Sequence, residues 1–258
     1  PGFNGKSLNR THLFNKYMIW VKIGVIIPSS NTTVEREFNR VFDEPDVTVH
    51  SARITLKDVT IKGLEEMEKE TERAAMELST ASPDIIAYAC TTGSLFKGPK
   101  HDVELKERIE KISKIKAIAT SGAVVEALKS VNASKILVVT PYVEELNVKE
   151  KEFLEAHGFH VLSISGLGIV DNREIGALDP KMAYEADVNS FKKFNSAFDA
   201  LFISCTNWRT FEVIEDIEKQ IKKPVISSNS ATLWAVLKTL TGKFKLKYNL
   251  GTLFKEFQ

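Results

Sequence analysis

The chain has 258 residues, 43 % hydrophobic and 27 % charged, enough for one large or two small domains with a sizeable core. Lys plus Arg (35) against Asp plus Glu (34) leaves a formal net charge of +1, which argues against nucleic acid as a partner. Two cysteines exclude a disulfide scaffold, and no apolar run approaches the roughly 20 residues of a membrane span, so a cytoplasmic protein is expected.

Residues 1–17 are polar, fit neither a secretory signal nor a membrane helix, and read as an extension upstream of the fold. Short β-branched runs then alternate with amphipathic stretches. The predicted order is strand Val21–Ile27, helix Thr32–Val41, strand Val47–Arg53, helix Lys62–Ser79, strand Asp84–Ala89, helix Asp102–Lys111, strand Lys116–Ala119 and helix Gly122–Ser130. It continues with strand Lys135–Val139, helix Val143–His157, strand His160–Ser165, helix Lys181–Ser196, strand Ala200–Ser204, helix Trp208–Ile221, strand Pro224–Ser227 and helix Ala231–Leu240. Apolar strands alternating with helices imply an α/β fold whose mostly parallel sheets are covered on both faces.

The order repeats. A strand ends in a proline at Pro28 and again at Pro141, 113 residues later. Asp84 to Thr91 and Asp199 to Thr206 each run aspartate, apolar strand, Cys-Thr, and the cysteines are 115 apart. Ala117 to Ala123 aligns with Val225 to Ala231 at an offset of 108. Three landmarks in one order indicate two pseudo-symmetric α/β lobes, 18–132 and 133–258, with the C-terminal helix free to cross back to the first.

The repeat changes the meaning of Cys90 and Cys205. A single buried cysteine is most often a small hydrophobe. Here each closes a strand, where open α/β sheets place ligands, and each precedes polar residues and an expected helix N-terminus that favours thiolate and anions. Lobes related by a pseudo-two-fold would set the two thiols across one cleft. Pro28-Ser29-Ser30-Asn31 offers hydroxyls and an amide, or is an ordinary helix cap. Tyr142 is placed to donate to an oxyanion, or to pack. Asn172 lies in a loop that reads more readily as a connection, and Ser228-Asn229-Ser230 as a cap with room for a second role. The five histidines show no metal-ligand spacing, and no phosphate-binding glycine motif follows the first strand, so no metal or nucleotide is expected.

At Pro28-Ser29-Ser30-Asn31, Ala89-Cys90-Thr91-Thr92, Thr140-Pro141-Tyr142, Asp171-Asn172, Ser204-Cys205-Thr206-Asn207 and Ser227-Ser228-Asn229 the chain resembles the cofactor-independent Asp/Glu racemase superfamily. Within it, the chain is most similar to maleate cis–trans isomerases and arylmalonate decarboxylases. The resemblance implies two three-layer lobes with the site between them, no cofactor, a small dicarboxylate substrate and a homo-oligomer. It implies Cys90 as nucleophile, Cys205 as acid/base, and Asn31, Thr91, Thr92, Tyr142, Asn172 and Thr206 around the substrate. The decarboxylases lack the first-lobe cysteine, so Cys90 favours isomerisation, although a serine is common where Thr92 stands. Two alternatives remain open: a two-cysteine racemase of an acidic amino acid or hydantoin, and a two-lobed binding protein without chemistry.

Overall fold

The apolar runs of the sequence form two four-stranded, wholly parallel sheets. In the computed structural model, which describes residues 21–43, 46–185, 191, 193–194, 197–240 and 244–257, the first sheet holds β1 (Val21–Pro28), β2 (Val47–Ile54), β3 (Ile85–Tyr88) and β4 (Ala117–Ala119) in the order β2-β1-β3-β4. The second holds β5 (Lys135–Thr140), β6 (His160–Gly166), β7 (Ala200–Ile203) and β8 (Val225–Ser227) in the order β6-β5-β7-β8. The registers match as well as the orders. Ile23 opposes Ile85 as Ile136 opposes Ala200, and Ile86 opposes Ala117 as Leu201 opposes Val225. Those pairings reproduce the offsets of 113, 115 and 108 seen in the sequence.

The helices are α1 (Val34–Val41), α2 (Ile61–Glu68), α3 (Thr71–Thr80), α4 (Thr91–Leu95), α5 (His101–Ser113) and α6 (Thr120–Ser130) around the first sheet. Around the second lie α7 (Glu144–Ala156), α8 (Asn172–Gly176), α9 (Met182–Glu185), α10 (Ile214–Ile221) and α11 (Ser228–Leu240), with a final 3-10 turn at Thr252–Phe257. Helix α11, buried from Ser228 to Leu237, packs on α6 and reaches β3 and β4 as well as its own β8. Among the described residues no helix is long and apolar enough to cross a membrane.

Three expectations need correction. The helix expected over residues 62–79 is two helices. At the junction the Glu70 carboxylate leaves to accept the Thr55 N–H at 2.9 Å, while the Lys69 N–H bonds back to Glu66. The helix expected over residues 208–221 begins only at Ile214, so Cys205 lacks the helix N-terminus predicted to follow it. The segment around Asn172 is the first turn of α8, capped by the Asp171 side chain on the Arg173 N–H at 2.9 Å. The extension at residues 1–17 and much of the helix expected over 181–196 lie outside the described residues.

Candidate active site

A sheet ordered 2-1-3-4 reverses its winding between its first and third strands, and ligands bind at the carboxyl ends of those two strands. In the first sheet these ends are Pro28 and Cys90, and in the second they are Pro141 and Cys205. The two switch points face each other. Asn31, Cys90, Thr91, Thr92, Tyr142, Asn172, Cys205 and Thr206 line one pocket together with Pro28, Leu56 and Val59. The two cysteines and the six residues expected around the substrate therefore line this pocket, whereas Ser29, Ser30, Ser228, Asn229 and Ser230 are not part of its lining, which carries no charge. A larger cleft of about 340 Å³ opens at the β4 edge between Asp102 and Lys238, but it touches neither cysteine.

Each sulfur accepts a backbone N–H, from Gly93 to Cys90 at 3.4 Å and from Asn207 to Cys205 at 3.3 Å. Cys90 caps α4 in extended conformation, and its Sγ lies 3.9 Å from Thr92 Oγ1. Cys205 instead has φ +106, a left-handed conformation that costs a non-glycine residue energy. Its N–H donates to Ser228 Oγ at 3.0 Å. Burial pushes the Cys90 thiol up to about 11, opposed by the Gly93 N–H and the Thr92 hydroxyl. Burial likewise pushes Cys205 up to about 12, opposed by the Tyr142 hydroxyl, which donates to its sulfur, and the Asn207 N–H. The expected activated thiolate is therefore a protonated thiol in this closed pocket, because desolvation outweighs the nearby donors.

The polar neighbours divide their capacity. Asn31 spends its Oδ1 on the Thr33 and Val34 N–H groups at 2.9 and 3.1 Å, so it is a helix cap and a pocket wall at once. Its Nδ2 donates to Thr206 Oγ1 at 3.1 Å. Thr206 Oγ1 donates across the lobes to Ala89 O at 3.0 Å, and Thr91 Oγ1 donates to Ser228 Oγ at 2.7 Å. Both Cys-Thr threonines thus commit their hydroxyl protons to joining the lobes. Asn172 Nδ2 donates to Ser30 Oγ at 2.8 Å.

The roof comes from both lobes. Ser30 Oγ donates to Leu56 O at 2.5 Å, the Val59 N–H donates to Val170 O at 2.8 Å, and Asp58 pairs with Asp171 as an antiparallel bridge. The enclosed space is about 10 Å³, the room of one water, so a ligand larger than that enters only when the roof parts. Leu56 and Val59 escaped the sequence reading because a loop without a motif carries them. So did two buried carboxylates, Glu37 and Glu150, although the 113-residue offset that links the prolines links these two as well. Among the described residues no cluster of three His, Cys, Asp or Glu side chains is placed to hold a metal ion.

The family model described as arylmalonate decarboxylase matches residues 23–254. The maleate isomerase of Geobacillus stearothermophilus is 32 % identical, covering 90 % of this chain and 96 % of its own. That of Alcaligenes faecalis is 31 % identical, over 85 % and 90 %. A Nocardia farcinica maleate cis–trans isomerase, a cysteine-to-serine mutant with a covalently bound succinylcysteine intermediate, superposes with TM-score 0.79 at 27 % identity, over 85 % and 92 %. The chain belongs to the maleate isomerase and arylmalonate decarboxylase family of the Asp/Glu racemase superfamily.

Proposed function

We propose that the protein is a cofactor-independent cis–trans isomerase of a small dicarboxylate, of the maleate-to-fumarate type. The observation that carries this reading is one thiol from each lobe lining a single uncharged pocket. The relatives named maleate isomerase span nearly the whole chain, which favours isomerisation over racemisation or simple binding. The same reading divides the lobes at residues 132/133.

Cys90 first loses its proton to solvent. Its Sγ then forms a bond to one alkene carbon, and the π electrons move to the neighbouring carbon, which takes the proton of the Cys205 thiol. The former double bond is now single and rotates. The Cys205 thiolate removes the proton again, the C–S bond breaks, and its partner electrons leave on Cys90 as the trans alkene forms. Tyr142, donating to Cys205 Sγ, stabilises that thiolate in the intermediate. The carboxylates meet neutral donors: the Asn31 and Asn172 amides, the Thr92 hydroxyl, and the first-turn N–H groups of α4, which no intrahelical carbonyl can accept. The Nocardia mutant, with a cysteine replaced by serine, carries a covalently bound succinylcysteine, the kind of adduct this sequence of steps requires. Incubating the Cys205→Ser variant with maleate is expected to add one succinyl group to the Cys90 peptide by mass spectrometry. No adduct on a folded variant with reduced Cys90 overturns the assignment.

A further inference from the structure

Cys90 and Cys205 occupy equivalent strand ends, yet the chain after them differs. After Cys90 the backbone enters α4, and the Phe96 N–H is satisfied by Thr92 O at 3.0 Å. After Cys205 no helix forms until Ile214, so the amides of Thr210 and Phe211 need an acceptor from elsewhere. Glu37 of α1, only 3 % exposed, supplies it from the opposite lobe. Its Oε1 accepts the Thr210 and Phe211 N–H groups at 2.6 and 3.0 Å, and its Oε2 accepts Asn229 Nδ2 at 2.6 Å. Asn229 Nδ2 donates also to Thr206 O at 2.9 Å, which ties the carboxylate to the residue next to Cys205.

The repeat provides an internal control. Glu150, 113 residues on, occupies the matching place on α7, which packs on α4. Both of its carboxyl oxygens are buried without a hydrogen-bond partner of normal geometry. The Phe96 N–H, 115 residues before that of Phe211, is already bonded to Thr92 O, so the second carboxylate finds no loop to organise. Three donors converge on Glu37, whereas Glu150 meets only the Ser204 hydroxyl, outside normal hydrogen-bond geometry.

We infer that Glu37 is a positioning residue for Cys205: its carboxylate replaces the missing helical turn, fixes the 206–211 loop across the lobe boundary and holds the Cys205 backbone in its strained conformation. The inference rests on the reading of Cys205 as the acid/base. Its test therefore includes a readout independent of turnover.

Glu37→Gln keeps an oxygen for the two amides but sets an NH2 against Asn229 Nδ2, and Asn229→Ala removes one tie without touching Glu37. In each folded variant we expect kcat for maleate to fall about ten- to a hundred-fold with KM nearly unchanged. The ratio of Cys205 to Cys90 alkylation by iodoacetamide, read by peptide mass spectrometry, is expected to shift at least about ten-fold. Cys90 shares the pocket and cancels any change in roof opening. An unchanged ratio and unchanged kcat in both variants overturn the inference. If the wild type fails to turn over maleate while the ratio still shifts, the positioning role stands and the isomerase reading falls.

Discussion

Desolvation of the thiols is the dominant electrostatic fact at the residue scale, since no lining group is charged. With Cys90 held near 11, its thiolate fraction grows about ten-fold per pH unit throughout the neutral range. The rate of Cys90 alkylation is therefore expected to climb with unit logarithmic slope between roughly pH 6 and 9, and a plateau near pH 7 contradicts the burial argument. Gly93 allows the Cys90 environment to exist. A Cβ there would stand 2.8 Å from Met67 Cε and 3.0 Å from both Cys90 Sγ and Tyr88 Oη. Gly93→Ala is expected to cost about 1–3 kcal/mol and to suppress succinyl adduct formation at Cys90 while leaving Cys205 alkylation near its normal rate. Cys90 and Cys205 stood out in the sequence because a rare residue recurred at one place in a repeat. Their protonation was not legible, because the walls that dehydrate them, Leu56 and Val59 among them, come from loops remote in sequence.

At the scale of elements, the two first helices of the lobes each carry one buried carboxyl, and burial raises Glu37 to about 7 and Glu150 to about 8. For Glu37 the Phe211, Thr210 and Asn229 donors pull the other way, and for Glu150 only the Ser204 hydroxyl does. A carboxyl whose folded pKa is raised binds its proton more tightly in the folded chain. Its contribution to stability is thus full below the unfolded value and fades as pH rises from about 4.5 through 7 to 8, at up to about 1.4 kcal/mol per unit for each group. Urea midpoints are expected to fall from pH 5 to pH 9, and Glu150→Gln to lessen that fall. A wild-type midpoint independent of pH over this range contradicts the burial of both groups. The strands and most helices were legible from periodicity, but these carboxylates were not, since Glu in an amphipathic stretch reads as solvent-facing. The break at Glu70 and the loop over residues 206–213 were hidden for a related reason. Each depends on a distant partner, the Thr55 N–H and Glu37, that local pattern does not contain.

At the scale of the molecule, the duplicated lobe explains the site. Two sheets of one topology meet with their switch points face to face, and Thr91 and Thr206 each send a hydroxyl bond into the other lobe. Thr206→Val deletes the bond to Ala89 O, leaves Asn31 Nδ2 without its acceptor, and is expected to lower stability by about 1–3 kcal/mol, read from urea unfolding. No measurable change would show that the lobes hold together without it. This architecture was legible from three spaced landmarks, whereas the roof that closes the pocket depends on hydrogen bonds between loops no motif marks. Two opposed thiols are expected to isomerise a cis-dicarboxylate. Proton NMR of maleate with the wild-type protein tests it most directly. The maleate vinyl signal is expected to give way to that of fumarate, and Cys90→Ser to abolish the conversion. No fumarate over hours, from folded protein with both thiols reduced, would contradict it.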